Sequence, residues 1–479
     1  MRARSHDWGM PEQKPVILWF RRDLRLADNP ALQRAVESGQ PVLPVYILDD
    51  GGEGSWPDGG ASKWWLHHSL ASLAEDLEGV GSRLLLRRGA SRDALLELCR
   101  ETGADGVFWN RRFEPAIVAR DTEIKKSLAE AGVMVRSFNG SLLQSPLSVE
   151  NKSGSPFKVF TPFWKHIQNL STRDPLEKPT SLAAPKSWPA SESLGSCKLL
   201  PKRDWADGFE KEWTPGERGA VEALEGFADG PVNHYAGKRD TPSVRGVSKL
   251  SPHLHFGELS PNQVWHRMDR EKHEPYLRQI AWREFAHHLM FHFSDTPEKP
   301  LRPEFASFPW KKDASLLRAW QKGMTGYPIV DAGMRELWKT GWMHNRVRMI
   351  ASSFLVKHLL QPWQAGADWF WDTLVDADLA NNTMGWQWVA GCGADAAPYF
   401  RIFNPITQGE RFDGEGAYTR KWVPEIADLP DKYLFKPWEA PGELLEKAGI
   451  ELGNTYPWPI VEHAKARQAA LDAYAAMKS

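Results

Sequence analysis

The sequence has only three cysteines in 479 residues, Cys99, Cys197 and Cys392. Spaced so widely, they offer neither a disulfide framework nor the four-thiolate set of a structural zinc or iron–sulfur centre. A reducing, cytoplasmic compartment and no metal site are therefore expected. Long hydrophobic runs are missing as well. The best of them, 349–360, is interrupted by Ser, Lys and His, so no membrane span is expected. The first fifteen residues are polar and broken by proline, unlike a secretory leader. Net charge is almost absent, since 60 Lys and Arg face 61 Asp and Glu. Nucleic-acid binding would then need a local basic patch rather than a global field. A dinucleotide fingerprint is also lacking. Gly79-Val80-Gly81 follows a helical stretch instead of a strand, which argues against a nicotinamide-dependent oxidoreductase.

Tryptophan is what the sequence has in excess: 24 residues, sixteen of them after residue 200. Indole is large and seldom wholly buried. Such density is either the packing of a big helical domain or a set of rings with a task.

The first 145 residues alternate between two periodicities. Apolar, β-rich runs at 16–20, 42–47, 83–87, 106–109 and 133–138 are separated by helical patterns at 31–38, 64–77, 94–100 and 116–131. This predicts an α/β domain with a doubly wound parallel sheet over 1–145. Residues 146–215, rich in Ser, Pro, Lys and Gly, predict a surface linker with one short helix near 162–170. From 216 to 479 the pattern is that of a large all-α domain. Apolar residues recur at helical spacing in 263–272, 276–293, 327–340 and 343–360.

Three stretches carry polar chemistry. In 342–349, Asn345 and Met349 are four apart and share a helix face, with Arg348 placed to meet a carboxylate. An ordinary surface helix with a core Met is the competing reading. In 376–388, two acids, three amides and two indoles fall within thirteen residues. Polar groups so dense between helices need partners, which suggests a bound polar ring system; an Asx-rich turn before a core helix would look similar. The spacing of Trp386 and Trp388 sends the two indoles in different directions. The third stretch, Tyr235 to Asp240 with 247–252, has hydroxyls, glycine and a helix start, which together can cradle phosphate.

The segments 19–29, 158–163, 326–332, 342–349 and 376–388, running on to 395–405, resemble the motifs of the photolyase/cryptochrome family over about residues 15–460. The resemblance implies a U-shaped FAD in the helical domain. Tyr235 and the stretch Val247, Ser248, Lys249, Leu250 and Ser251 are then expected at its pyrophosphate. Asn345, Asp376 and Asp378 are expected around the isoalloxazine and its sugar chain, with Arg348 paired to Asp376. Asn382 matches the residue facing flavin N5. Val247 departs from the Thr of many relatives. Trp386, Trp363 and Trp310 match a three-indole chain that carries an electron from the surface to photoexcited flavin.

The activity implied is light-driven repair of cyclobutane pyrimidine dimers by electron transfer from excited FADH⁻. Met349 and Trp388 match dimer-contacting residues, and Trp282 is expected to flank the lesion. Gln279 stands where many dimer photolyases have Glu. Arg239, Arg346, Lys165 and Arg401 are the expected phosphate rim, and UV-damaged DNA, single- or double-stranded, is the expected partner of a monomer. The helix around 345–349 is not the His-rich version found in relatives acting on (6–4) photoproducts. Asn382 replaces the Asp typical of plant cryptochromes, and the sequence shows no long tail after Ser479. The alternative is a cryptochrome photoreceptor without repair activity. Gln279 and the wording of 380–385 resemble the bacterial class III branch. An antenna chromophore is implied for the α/β domain, methenyltetrahydrofolate first and a deazaflavin second.

Overall fold

The computed structural model of the chain describes residues 13–201 and 205–478; most of the polar N-terminal stretch lies outside them. Five strands, β1 (Val16–Phe20), β2 (Val42–Leu48), β3 (Leu85–Arg88), β4 (Gly106–Asn110) and β5 (Met134–Phe138), form one parallel sheet in the order β3-β2-β1-β4-β5. Four helices alternate with them: α1 (Pro30–Glu37), α2 (Gly60–Gly79), α3 (Ser91–Thr102) and α4 (Pro115–Glu130). β1 and β4 are buried at every position, as strands covered on both faces must be. That explains their continuous apolar runs. α1 begins where it should: Asn29 accepts the Leu32 N–H and Pro30 occupies the first turn.

In such sheets ligands favour the crevice where strand order reverses, here between the C-terminal ends of β1 and β4. Side-chain hydrogen bonds bridge that crevice here. Arg21 donates to the Asn110 carbonyl and to Asp121, while Asn110 Nδ2 donates to Asp23 and Asn29, each at 2.7 Å.

The stretch expected as a linker packs on both halves of the molecule. Its helix, Phe160–Ile167, joins the core of the helical half. Farther on, Leu182, Ala183 and Glu192 exchange backbone hydrogen bonds with Val80, Val42 and Leu86, lining the β2–β3 side of the sheet. The two halves dock closely. Glu217 accepts the backbone N–H groups of Leu26 and Ala27, and Trp65 donates to the fully buried Glu258 at 2.9 Å. Gly257, at φ +67°, lies so near Arg22 that a Cβ would meet its carbonyl oxygen at 2.0 Å. Only glycine meets both demands.

The helical half differs from the sequence expectation in two places. The helix expected over 263–272 stops at Arg267, where Met268 turns extended and Asp269 captures the N–H groups of Glu271 and Lys272. The segment 343–360 is not one helix either. Asn345–Ser353 gives way to a wider π turn at Phe354–His358. No helix among the described residues is long and apolar enough to cross a membrane.

Candidate functional site

Three chain segments converge on one carboxylate. Arg348, in the first turn of the Asn345–Ser353 helix, meets Asp376 at 2.9 Å, and Ser251 Oγ donates to the same Asp376 oxygen at 2.6 Å. The guanidinium is fixed in turn by the Met343 carbonyl at 2.7 Å. Asn345 and Met349 do share a face, with the amide 3.8 Å from the sulfur.

Asp378 has a different setting. One of its oxygens caps the Leu379–Ala390 helix, accepting from the Asn381 backbone and amide at 2.9 and 2.7 Å. The other lies 3.3 Å from His287 Nε2 and 3.6 Å from His255 Nδ1. Burial alone would lift the Asp378 carboxyl, but the charge of His287 and hydrogen bonds from His255 and His287 hold it well below the usual carboxylate range. Burial disfavours the His287 imidazolium too, yet Asp378 raises its pKa above the ordinary value. No motif signalled either histidine, because both come from remote segments. A depressed carboxylate contributes stability that is lost as pH falls through its folded pKa. Removing His287 lets that pKa rise, so His287→Ala is expected to acid-unfold at a higher pH than the wild type. Tryptophan fluorescence followed through an acid titration checks this; an unchanged midpoint contradicts it.

Asn382, on the first turn of the same helix, donates to the Ala367 carbonyl at 3.1 Å. Three residues on, Gly385 leaves open space where a Cβ would stand. The indoles diverge as their spacing predicts: Trp386 is buried and Trp388 half-buried. Trp386 packs on Phe370 at 5.0 Å and Trp320 at 6.1 Å, and its Nε1 has no partner. Trp363 opens the Trp363–Thr373 helix in the same core, and the half-buried Trp310 packs against that core 4.3 Å from Phe308. Gly366 permits the contact between the two helices, since a Cβ there would meet three Trp386 ring carbons at 2.0, 2.4 and 2.6 Å. Gly366→Ala is therefore expected to displace the indole and cost about 1–3 kcal/mol of stability. A lower melting temperature is the check, and an unchanged one contradicts the packing.

Trp282 and Gln279 lie three apart on the Glu274–His292 helix. Trp282 stacks on Phe160 at 3.7 Å and 7°, a support the sequence motif contained but did not explain. Gln279 Nε2 donates to the Pro275 carbonyl at 3.2 Å.

The basic candidates are placed unevenly. Arg401 and Lys165 are exposed. Arg346 pairs with Asp240 at 2.9 Å over the Phe412 ring, and Arg239 stands 3.9 Å from the same carboxylate. Lys249, in a left-handed conformation at φ +54°, pairs with Glu212 and faces the Trp342 ring at 4.9 Å. Tyr235 packs 5.3 Å from Tyr276, and burial pushes its phenol up to about 12.

Family models described as "DNA photolyase" and "FAD binding domain of DNA photolyase" match residues 16–182 and 276–476. The chain is 54% identical to a deoxyribodipyrimidine photo-lyase of Agrobacterium fabrum, covering 97% of this chain and 98% of that protein. The chain belongs to the DNA photolyase family. Its fold superposes on a bacterial class III photolyase from Agrobacterium tumefaciens with a TM-score of 0.96, at 52% identity over 99% of this chain and all of that one. Cryptochrome-1 of Arabidopsis thaliana is 39% identical, covering 94% of this chain and 69% of that protein.

Membership implies FAD, and the residues present fit it. Guanidinium, carboxylate, amide and hydroxyl groups from Arg348, Asp376, Asn382 and Ser251 offer a mix of donors and acceptors that suits a flavin's polar edge.

Proposed function

We propose that this protein repairs cyclobutane pyrimidine dimers in DNA with light, as a class III-like deoxyribodipyrimidine photolyase. The observation that carries the reading is the set Arg348–Asp376–Ser251, with Asn382 and Trp386 on the helix that follows Asp376, in a chain related over nearly its whole length to such an enzyme. Bound reduced FAD supplies, when excited, the electron that splits the cyclobutane ring and recovers it afterwards.

The chain's residues supply position. Arg348 and Ser251 fix Asp376, and with Asn345 and Asp378 they orient the isoalloxazine and its sugar chain. Tyr235 and the backbone of 247–251 hold the pyrophosphate. Asn382 sets an amide, which carries no titratable proton, near N5. Trp386, Trp363 and Trp310 pass electrons inward from the surface to restore the reduced cofactor. A dimer extruded from the stack, at low cost because it is already poorly paired, meets Trp282, Trp388, Met349 and Gln279. Trp282 is held flat by Phe160, so its ring is ready for the lesion before it arrives.

Arg401, Lys165, Arg346 and Arg239 meet phosphates of UV-damaged DNA, single- or double-stranded, as a monomer in the cytoplasm. Arg346 and Arg239 exchange Asp240 for phosphate as they do so. Binding is therefore expected to weaken steeply with salt, by about 0.9 in the log–log slope per phosphate on duplex DNA. An antenna, methenyltetrahydrofolate before a deazaflavin, completes the reading. A flavin excitation spectrum with a band that free FAD lacks is its check. The repair reading is tested with an oligonucleotide carrying one thymine dimer and the reduced, flavin-loaded protein. Dimer loss in blue light and none in the dark is expected; equal outcomes in light and dark overturn it.

A further inference from the structure

The loop 395–404 joins the two walls of the proposed lesion face. At one end Asp395 accepts the Phe160 N–H at 3.2 Å, beside the Phe160–Trp282 stack. At the other, Asn404 caps the Pro405–Phe412 helix, whose Phe412 underlies Arg346. Between these anchors Tyr399 turns inward, packed 5.2 Å from Phe308 and 4.8 Å from Tyr474. Its neighbours turn outward. Phe400 is 64% exposed, the most exposed large apolar side chain among the described residues, and Arg401 is exposed beside it.

Lys357 holds this loop from within. It is 2% exposed, its Nζ donates to the Arg401 carbonyl at 3.0 Å, and it faces the Tyr399 ring at 5.3 Å. No carboxylate pairs with it among the described residues. A buried ammonium lacking a counter-charge is costly, so the contact it makes is the reason to look for a role. Its place is also unusual. It lies in the π turn that continues the helix of Asn345, Arg346 and Met349, and π turns recur at functional sites.

We infer that Lys357 is a positioning residue for damaged DNA: through the Arg401 carbonyl it holds Phe400 and Arg401 toward the strand. The inference rests on the DNA-facing reading of this surface. Arg401 supplies a phosphate contact. Phe400 supplies an exposed apolar ring of the kind that fills a gap opened in a base stack.

The test is dark binding of a fluorescent duplex carrying one thymine dimer to the flavin-loaded protein across a salt series. Wild type, Lys357→Met, Arg401→Ala and the double variant are compared. Each single variant is expected to bind more weakly and to lose about 0.9 from the salt slope, one phosphate contact. The double variant should be no weaker than the weaker single, because both act through one loop. Flavin content and light-driven flavin reduction of Lys357→Met should match the wild type, which general destabilisation would not spare. Wild-type affinity and slope in Lys357→Met, or losses that multiply in the double variant, overturn the inference. A wild type with no preference for the dimer overturns the repair reading itself, and this inference with it. Should Lys357→Met lose flavin, Lys357→Gln takes its place in the same cycle, with the same outcomes deciding.

Discussion

Trp386→Phe is expected to keep its flavin and lose light-driven reduction of the oxidised cofactor almost completely. The ring sits between Phe370, Trp320 and Gly366, with no hydrogen bond from Nε1 to lose. A smaller apolar ring therefore costs packing only, about 1–3 kcal/mol. The electronic consequence is far larger, since a benzene ring is much harder to oxidise than indole and the proposed chain to Trp363 and Trp310 is cut at its inner end. Blue-light bleaching of oxidised flavin absorption, with an external thiol present, is the measurement. A bleaching rate like that of the wild type removes Trp386 from the pathway. Variant protein reduced chemically beforehand should still repair dimers, because the chain restores the cofactor and does not split the lesion.

Asp376→Ala is the second large effect. Asp376 is 8% exposed and receives both the Arg348 guanidinium and the Ser251 hydroxyl. Removing it leaves a half-buried cation and a hydroxyl without their acceptor. Breaking one side of a buried pair costs about 3–5 kcal/mol, and the partial exposure of Arg348 places this case near the lower end. That cost falls on the fold around the site, and flavin retention should fall with it. Purified Asp376→Ala is expected to be nearly colourless, whereas Asp376→Asn, which still accepts hydrogen bonds, should retain more cofactor. Equal flavin content in wild type and Asp376→Ala would place the cofactor elsewhere.

Legibility in the sequence followed the range of the interactions. β1 and β4 are buried on both faces, so their side chains are uniformly apolar and their limits could be read directly. The pairing of Arg348 with Asp376 came from the family motif and is present at 2.9 Å. The Asn345–Met349 contact follows from helix geometry alone. What stayed hidden depended on segments meeting in space. The helical pattern of 343–360 continues through Ser353, and nothing in it marks the π turn that aims Lys357 at the loop. Asp378 stood out in the sequence, but its two histidine partners did not, because they sit on other helices. Phe160 was visible in a motif, but its stacking on Trp282 appears only once the two helices pack.

The most direct test of the account is the action spectrum of repair. Flavin-loaded, pre-reduced protein bound to a thymine-dimer oligonucleotide is illuminated at a series of wavelengths, and dimer loss per absorbed photon is measured. Repair is expected to track the absorption of the bound reduced flavin, with any antenna band added, and to vanish in the dark. No repair at any wavelength, with flavin bound and photoreducible, would contradict the account and move the protein to light sensing, with Gln279 the first residue to exchange for Glu.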